Sequence, residues 1–298
     1  MAPNLSFGVN IKRAIKSIGE VEFYQPLYEA IVNSFQANAT ELTITFERDS
    51  LNSVIGYSIE DNGCGFTDKN ISSFLELWSD HKASIGGLGS GRILCLKIFD
   101  NINIQSITKT KKVRINFNAN FQANNDQHLF ISDYISKNSS TTTKFEQLSD
   151  MFRAKIEHRK YDPKEIKEDI FIKLLPLFIR LKKERQDFKI HIDNRLWLDH
   201  QILEQKFDTL AFKNTSFSIE KALSKFDPSI DSTKLIKYEF ILFYRVTQDP
   251  KTKLQFYGAS DRNITDFPKG ARVENFPKGW GAIFCLTSKY FEEKRVAD

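Results

Sequence analysis

The strongest constraint on the fold is a change in apolar spacing early in the chain. In "LYEAIVNSFQANA" the buried-type residues Leu27, Ile31 and Phe35 recur at helical intervals. The next segments, "ELTITFE" and "NSVIGYSIED", alternate apolar and polar residues as half-buried strands do, and Asp49 and Ser50 lie in the connection. The sequence therefore predicts a helix followed by an antiparallel hairpin that packs against it.

The later segments extend this pattern into two domains. Strands are predicted at "NINIQSI", "KKVRINFN", "QHLFISDYI" and "TTKFEQL", and helices at "KNISSFLELW" and "GRILCLKIFD". Pro163 starts a new helix, after which "FKIHID", "YEFILFYRV", "LQFYGA" and "GAIFCLT" are predicted strands. We expect an α+β domain at residues 1–155, with a mostly antiparallel sheet and helices on one face, and a smaller α/β domain at residues 156–298.

Composition excludes several classes of protein. With 298 residues and 41% hydrophobic content, the chain can bury a full core. It has neither an apolar run long enough to span a bilayer nor a secretory leader, so a soluble cytoplasmic protein is expected. The cysteines Cys64, Cys95 and Cys285 lack metal-ligand spacing, as do the five histidines, which argues against structural zinc. The net charge of +5 permits contact with DNA without requiring it.

The first helix carries a polar face. Glu29, Asn33 and Gln36 are spaced to lie together, roughly opposite Leu27 and Ile31. An amide oxygen can ligate Mg²⁺, and a carboxylate can take a proton from water, so this face suits hydrolysis. The alternative is an ordinary solvated face.

Two glycine-containing segments follow. In "EDNGCGF" the residues Gly63 and Gly65 permit a sharp turn and the close approach of a flat ligand, while Asp61 can accept a hydrogen bond from an amino group. The alternative here is a turn capped by an Asx side chain. In "GGLGSGR" glycine-rich backbone leads directly into a helix, which suits a phosphate chain, and Lys82 can add a positive charge or simply be solvated. No Gly-Lys-Ser/Thr follows, so this is not a Walker A loop.

The order and spacing of these three segments resemble the GHKL ATPase superfamily, which includes DNA gyrase B, the ninety-kilodalton heat-shock chaperones, sensor histidine kinases, MutL and the MORC proteins. "LYEAIVNSFQANATELTITFE" resembles its N-box, "EDNGCGF" its G1 box and "IGGLGSGR" its G2 box. The resemblance is good over residues 24–100. It implies a Bergerat-type ATP-binding sandwich, followed by a transducer-like α/β domain.

The resemblance also implies roles for particular residues. Glu29 would be the general base and Asn33 would hold Mg²⁺. Asp61 would bind the adenine amino group, with Gly63 and Gly65 beside the base. The phosphates would be bound by Gly86, Gly87, Leu88, Gly89, Ser90 and Gly91, with Lys82 nearby. Thr143 resembles the last nucleotide contact of the family, although Thr142 stands where a glycine is expected.

One departure affects catalysis. Many members have Asp-Ala after the N-box asparagine, whereas this chain has Gln36-Ala37. We therefore expect ATP and Mg²⁺ as cofactors, with slow hydrolysis that drives closure of a lid at residues 67–85 and formation of a homodimer. A basic residue of the second domain, with Arg262, Lys269 and Lys278 as candidates, would reach the γ-phosphate. The chain is expected to be the front part of a larger protein that carries the effector site.

Three alternatives remain open. The first is a nucleotide sensor without meaningful turnover, which Gln36 favours. The second is a DNA-acting ATPase of the MutL or MORC kind. The third keeps the fold but treats all three boxes as turns. We do not expect a sensor kinase, because the residues before position 24 are too few for a phosphoacceptor histidine hairpin.

Overall fold

The computed structural model describes residues 11–75, 91–154, 160–210, 212–222, 235–247, 255–258 and 281–288. The chain divides into two compact units, the first comprising the described residues up to Ile170 together with Asp187–His200. Its helices are α1 (Ile11–Ser17), α2 (Gln25–Gln36), α3 (Asp68–Leu75), α4 (Gly91–Ile98), α5 (Asp150–Arg153) and most of α6 (Pro163–Lys173). Its strands are β1 (Glu41–Arg48), β2 (Val54–Asp61), β3 (Phe99–Ile107), β4 (Lys111–Asn118), β5 (Leu129–Asp133), β6 (Ser140–Leu148), β7 (Lys189–Ile192) and β8 (Arg195–Asp199).

The strands of the first unit form one mixed sheet. In the described part of the chain its order is β5-β4-β3-β6-β2-β1-β7-β8, and every neighbouring pair is antiparallel except β1 with β7. The predicted α+β class, with a mixed and mostly antiparallel sheet, is confirmed. The segment "FKIHID", which we expected in the second domain, forms β7 and pairs with β1 in this first sheet. The domain boundary at residue 155 stays a prediction.

Helix α2 packs its apolar side on the sheet. Leu27, Ile31 and Phe35 are at most 4% exposed, in agreement with the helical spacing of the sequence. Pro26 lies in the first turn, where its missing N–H is not needed, and Asn38 follows the helix with a φ of 59°. The helix therefore begins and ends at positions that its own residues specify.

The buried face of the sheet is apolar and aromatic. The ring of Tyr57 is 1% exposed and contacts Phe23, Phe99 and Phe145 at centroid distances of 5.0–6.0 Å. Its hydroxyl donates to the carbonyl of Phe23 at 3.2 Å, so the buried polar atom is satisfied. Alternation of buried and exposed residues along β1 and β3 leaves the other face polar.

The second unit contains Phe171–Gln186 and the described residues from Gln201 onwards. Its elements are α7 (Leu175–Glu184), α8 (His200–Thr209, after its first residue), β9 (Lys213–Ala222), β10 (Leu235–Thr247), β11 (Gln255–Gly258) and β12 (Gly281–Thr287). The described strands are ordered β11-β12-β10-β9, and α7 contacts β11 and β12. The predicted strands at "YEFILFYRV", "LQFYGA" and "GAIFCLT" correspond to β10, β11 and β12. Among the described residues, no helix is both long and apolar enough to cross a membrane.

Within the first unit, α2 is also bound to α6. The hydroxyl of Tyr28, which is 8% exposed, donates to a carboxylate oxygen of Asp169. Burial and the neighbouring Asp169 charge raise the pKa of Tyr28, so the hydroxyl keeps its proton and remains a donor. This bond joins the polar-faced helix to the last helix of the unit.

We predict that Tyr28→Phe lowers the free energy of unfolding by about 1–3 kcal/mol, because the half-buried Asp169 carboxylate loses its donor. Tyr134→Phe is the matched control, since Tyr134 is 45% exposed. Urea unfolding of both variants measures the difference. Equal stability of the two variants would contradict a stabilising role for the bond.

Candidate functional site

The end of α2 is bound to the loop that follows β2. The side-chain oxygen of Asn62 accepts hydrogen bonds from the backbone N–H groups of Thr40 and Glu41, at 2.8 and 2.9 Å. The N–H of Cys64 donates to the carbonyl of Ala37 at 2.9 Å. Asn62 thus has a structural role, and the loop is fixed in place relative to the helix.

Asp61 is the half-buried acidic group of this loop. Its Oδ1 accepts from the N–H of Gly63 and its Oδ2 accepts from the hydroxyl of Ser34, both at 2.9 Å. Burial raises the pKa of Asp61 and the Glu60 charge adds to the rise, while the two hydrogen bonds lower it. In the described part of the chain no cation forms an ion pair with this carboxylate. Each oxygen keeps one lone pair for a further donor.

Both glycines of the loop are required by contacts within the protein. A methyl group at Gly63 would lie 2.9 Å from the carbonyl oxygen of Ala37. Gly65 has a φ of +73°, and a methyl group there would lie 2.7 Å from Oγ of Ser106. The sequence suggested that these glycines give clearance to a ligand, but close packing against α2 and β3 is sufficient to require them.

Three strands place polar residues beside one another at this end of the sheet. Asp61 on β2 pairs with Thr141 on β6, and Thr141 pairs with Ser106 on β3. Directly opposed residues point to the same face, and the Ser106 and Thr141 hydroxyl oxygens are 3.0 Å apart. Thr143, which is half-buried, pairs instead with the buried Ile59. Sequence reasoning missed Thr141, and the strand register between β2 and β6 identifies it.

The polar face of α2 is half-buried at Glu29 and Gln36 and exposed at Asn33. Glu29 lies against the start of α4, because a methyl group at Gly91 would be 3.0 Å from its Oε2. The thiol of Cys95, one turn along α4, donates to the carbonyl of Gly91 at 3.0 Å. Burial raises the pKa of Cys95 and the Glu29 charge adds to the rise, so this thiol stays protonated.

The structure thus brings some of the predicted residues together. Helix α2 connects the Glu29 and Gly91 pair to the Asp61, Gly63 and Gly65 loop. The remaining phosphate-loop candidates, Lys82, Gly86, Gly87, Leu88, Gly89 and Ser90, lie outside the described residues, as do Arg262, Lys269 and Lys278. The roles assigned to all these residues stay predictions.

Comparison with known families agrees with this arrangement. Residues 21–150 match the family model described as histidine kinase-, DNA gyrase B-, and HSP90-like ATPase. These residues belong to the GHKL ATPase superfamily. The match covers α2, the Asp61 loop, α4 and the strand β6, so all the described site residues lie inside the GHKL domain.

The chain is also similar to several solved structures. The N terminal domain of a DNA repair protein aligns with a TM-score of 0.50 at 13% identity, over 94% of this chain and 86% of that one. The 43K ATPase domain of Thermus thermophilus gyrase B, in complex with an aminocoumarin, has a TM-score of 0.43 at 12% identity, over 89% and 75%. The Aquifex aeolicus MutL ATPase domain, complexed with ADP, has a TM-score of 0.43 at 11% identity, over 93% and 98%. A sequence search of the curated proteins finds no match.

The three thiols have different accessibility, which gives a test of the loop geometry. Cys64 is exposed between Gly63 and Gly65, whereas Cys95 and Cys285 are buried. Burial also raises the pKa of Cys285 to about 12, so its reactive thiolate is scarce at neutral pH. We predict that one equivalent of a thiol reagent reacts rapidly with the native protein and that Cys64→Ser abolishes this reaction. Peptide mapping that finds rapid labelling at Cys95 would contradict the described packing.

Proposed function

We propose that the GHKL domain binds ATP at the end of the sheet where Asp61, Thr141 and Ser106 meet. The observation that carries the proposal is the Asp61 carboxylate, which is half-buried with two neutral donors and no ion pair among the described residues. Burial of a carboxylate without a cation is costly, and such groups are concentrated at functional sites. Membership of an ATPase superfamily supports the choice of ligand.

The adenine amino group would donate to Asp61. Thr141 pairs directly with Asp61, so we assign it the adjoining base contact that the family resemblance suggested for Thr143. Its hydroxyl already lies 3.0 Å from the fully buried Ser106 hydroxyl, which also accepts from the N–H of Phe66. The Thr141 hydroxyl would then contact a ring nitrogen or a bridging water. Gly63 and Gly65 would then shape the loop around the base through their packing within the protein.

The described residues fit a Mg²⁺ ion that is held mainly by the nucleotide. None of the described residues forms a cluster of three or more His, Cys, Asp or Glu side chains placed to hold a metal. Mg²⁺ at phosphate sites commonly takes only one or two protein oxygens, and the exposed Asn33 amide offers one. When bound, the ion would neutralise phosphate charge. Glu29, one helical turn before Asn33, would accept a proton from the attacking water.

We propose that the protein acts in the cytoplasm and hydrolyses ATP slowly, and that the rate of hydrolysis sets the lifetime of its nucleotide-bound conformation. Nucleotide binding would close a lid at residues 67–85, of which residues 67–75 are described, and order a homodimer surface. The second unit would act as a transducer to a partner or effector domain, and hydrolysis would reset the system. Gln36 in place of a carboxylate supports the alternative of a nucleotide sensor with little turnover.

A second candidate is a DNA-acting ATPase. Its support is the fold shared with the N terminal domain of a DNA repair protein and the net charge of +5. Binding to duplex DNA that weakens steeply with salt distinguishes this candidate from an ATPase that acts on a protein partner.

For ATP binding, we predict that Asp61→Asn weakens affinity about 10- to 100-fold, because an amide both loses the charge and presents a donor towards the adenine amino group. Isothermal titration calorimetry with ATP and ADP measures the change. Asp133→Asn is the matched control, since Asp133 is an exposed acid at the end of β5. Equal affinity of Asp61→Asn and the control would exclude Asp61 as the group that binds adenine.

For hydrolysis, we predict that Glu29→Gln lowers the turnover number by about 10²–10⁴-fold while ATP affinity stays within a few-fold, because only proton abstraction is lost. Phosphate release under saturating ATP and Mg²⁺ measures the rate. Turnover unchanged in Glu29→Gln removes Glu29 as the base. Absence of turnover in the wild-type protein, with ATP bound, would establish the sensor instead.

A further inference from the structure

Ser34 lies in an unusual position for a helical serine. It follows Asn33 on α2 but faces inward, where it is 4% exposed. Its hydroxyl oxygen is 3.0 Å from the carbonyl of Ala30 and 2.9 Å from Oδ2 of Asp61. A hydroxyl has a single proton, so it can donate to only one of these two acceptors at a time.

The carboxylate is the stronger of the two acceptors. A helical serine commonly donates to the carbonyl four residues earlier, but a bond to an ionised oxygen is roughly twice as strong as a neutral one. The proton of Ser34 therefore goes to Asp61 whenever Asp61 is ionised. Because Ser34 is buried beneath the carboxylate, it acts on a ligand only through Asp61.

Few of the charged and polar groups around Asp61 donate a hydrogen bond to its carboxylate. Glu60, the preceding residue of β2, is the charged neighbour, and its field disfavours ionisation. Strand β6 contributes the neutral Thr141, and the loop contributes the N–H of Gly63. Of the two groups that donate to the carboxylate, Gly63 supplies backbone and Ser34 supplies the only side chain among the described residues.

We propose that Ser34 is the positioning residue that holds Asp61 as a pure hydrogen-bond acceptor, and that it thereby sets the preference of the site for adenine over guanine. This inference rests on the proposed nucleotide function. Adenine presents an amino donor where guanine presents a carbonyl acceptor. An ionised carboxylate accepts from the first and repels the second, whereas a protonated carboxyl group can donate to guanine.

Removal of the Ser34 hydroxyl should raise the pKa of Asp61. In Ser34→Ala, Asp61 keeps only the Gly63 donor, so the pKa of the carboxyl group, already raised by burial, rises further. Adenine binding requires the ionised form, so affinity is lost as pH falls through this pKa. The loss then occurs at a higher pH than in the wild-type protein.

The first measurement uses the full chain without nucleotide. The Asp61 carboxyl carbon is titrated by nuclear magnetic resonance in the wild type, in Ser34→Ala and in the control Ser58→Ala. Ser58 lies on β2 three residues before Asp61 and faces the other side of the sheet, opposite Thr45 and Lys144. We expect a higher Asp61 pKa in Ser34→Ala alone. An unchanged pKa in that variant overturns the proposal whether or not the protein binds ATP.

The second measurement is the affinity for ATP and GTP across the pH range in which the first measurement shows Asp61 to titrate. We expect Ser34→Ala to bind ATP about tenfold more weakly than the wild type where Asp61 is protonated in the variant but ionised in the wild type, which corresponds to the loss of one charge-assisted hydrogen bond, and to recover at higher pH. Discrimination against GTP should fall in parallel. A uniform loss at every pH, with unchanged ATP to GTP selectivity, would show a merely structural role and overturn the proposal.

The two measurements separate this inference from the proposed function. If the wild-type protein binds neither ATP nor GTP, the proposed function fails, and the titration still decides whether Ser34 controls Asp61. Alanine is the strongest helix former, so α2 is expected to tolerate the substitution. Thermal unfolding of Ser34→Ala confirms that the titrated protein is folded.

Discussion

The described site depends on the attachment of the loop at Asp61 to the end of α2. Asn62 bonds to the backbone after the helix, Cys64 bonds to the carbonyl of Ala37, and Ser34 bonds to Asp61. Gly63 allows the approach, because any side chain would collide with that same carbonyl. These contacts convert two segments, separated in sequence by a hairpin, into one rigid element. The "EDNGCGF" pattern is therefore explained first by the protein's own packing, and the proposed ligand binding would use a carboxylate that this packing has already placed.

The same attachment has a cost in stability. A carboxyl group whose folded-state pKa is raised binds its proton more tightly in the folded than in the unfolded chain. The carboxyl group therefore favours the folded state only while it is protonated. This contribution to stability is lost as pH rises through the interval between the unfolded-state and folded-state pKa values. Above its folded-state pKa the ionised Asp61 opposes folding. A group that opposes folding and receives two aimed donors is what the proposed nucleotide binding would explain.

Local spacing in the sequence was sufficient to predict helix α2, the β1–β2 hairpin and strands β3 to β6, because each has one apolar face with a clear period. Pairing between distant segments was not predictable in this way. Strand β7 joins β1 across about 140 residues of chain, and nothing local distinguishes that partner from the second sheet. The run Thr141, Thr142, Thr143 shows that local sequence also fails to predict which single residue pairs with a distant strand. Three identical side chains differ only in register, and only the pairing with β2 places Thr141 opposite Asp61.

Helix α2 unites the two chemical halves of the proposed site. Ser34 and Glu29 are five residues apart, which corresponds to about 7.5 Å along a helix axis. One helix therefore sets the separation between the carboxylate proposed to bind adenine and the candidate general base. On its remaining side the helix is bound to α6 through Tyr28 and Asp169. A displacement of α2 by its neighbours would therefore move Ser34 and Glu29 together. Since the Ser34 hydroxyl can return to the carbonyl of Ala30, such a displacement would weaken base recognition at Asp61 before it disrupted the helix itself.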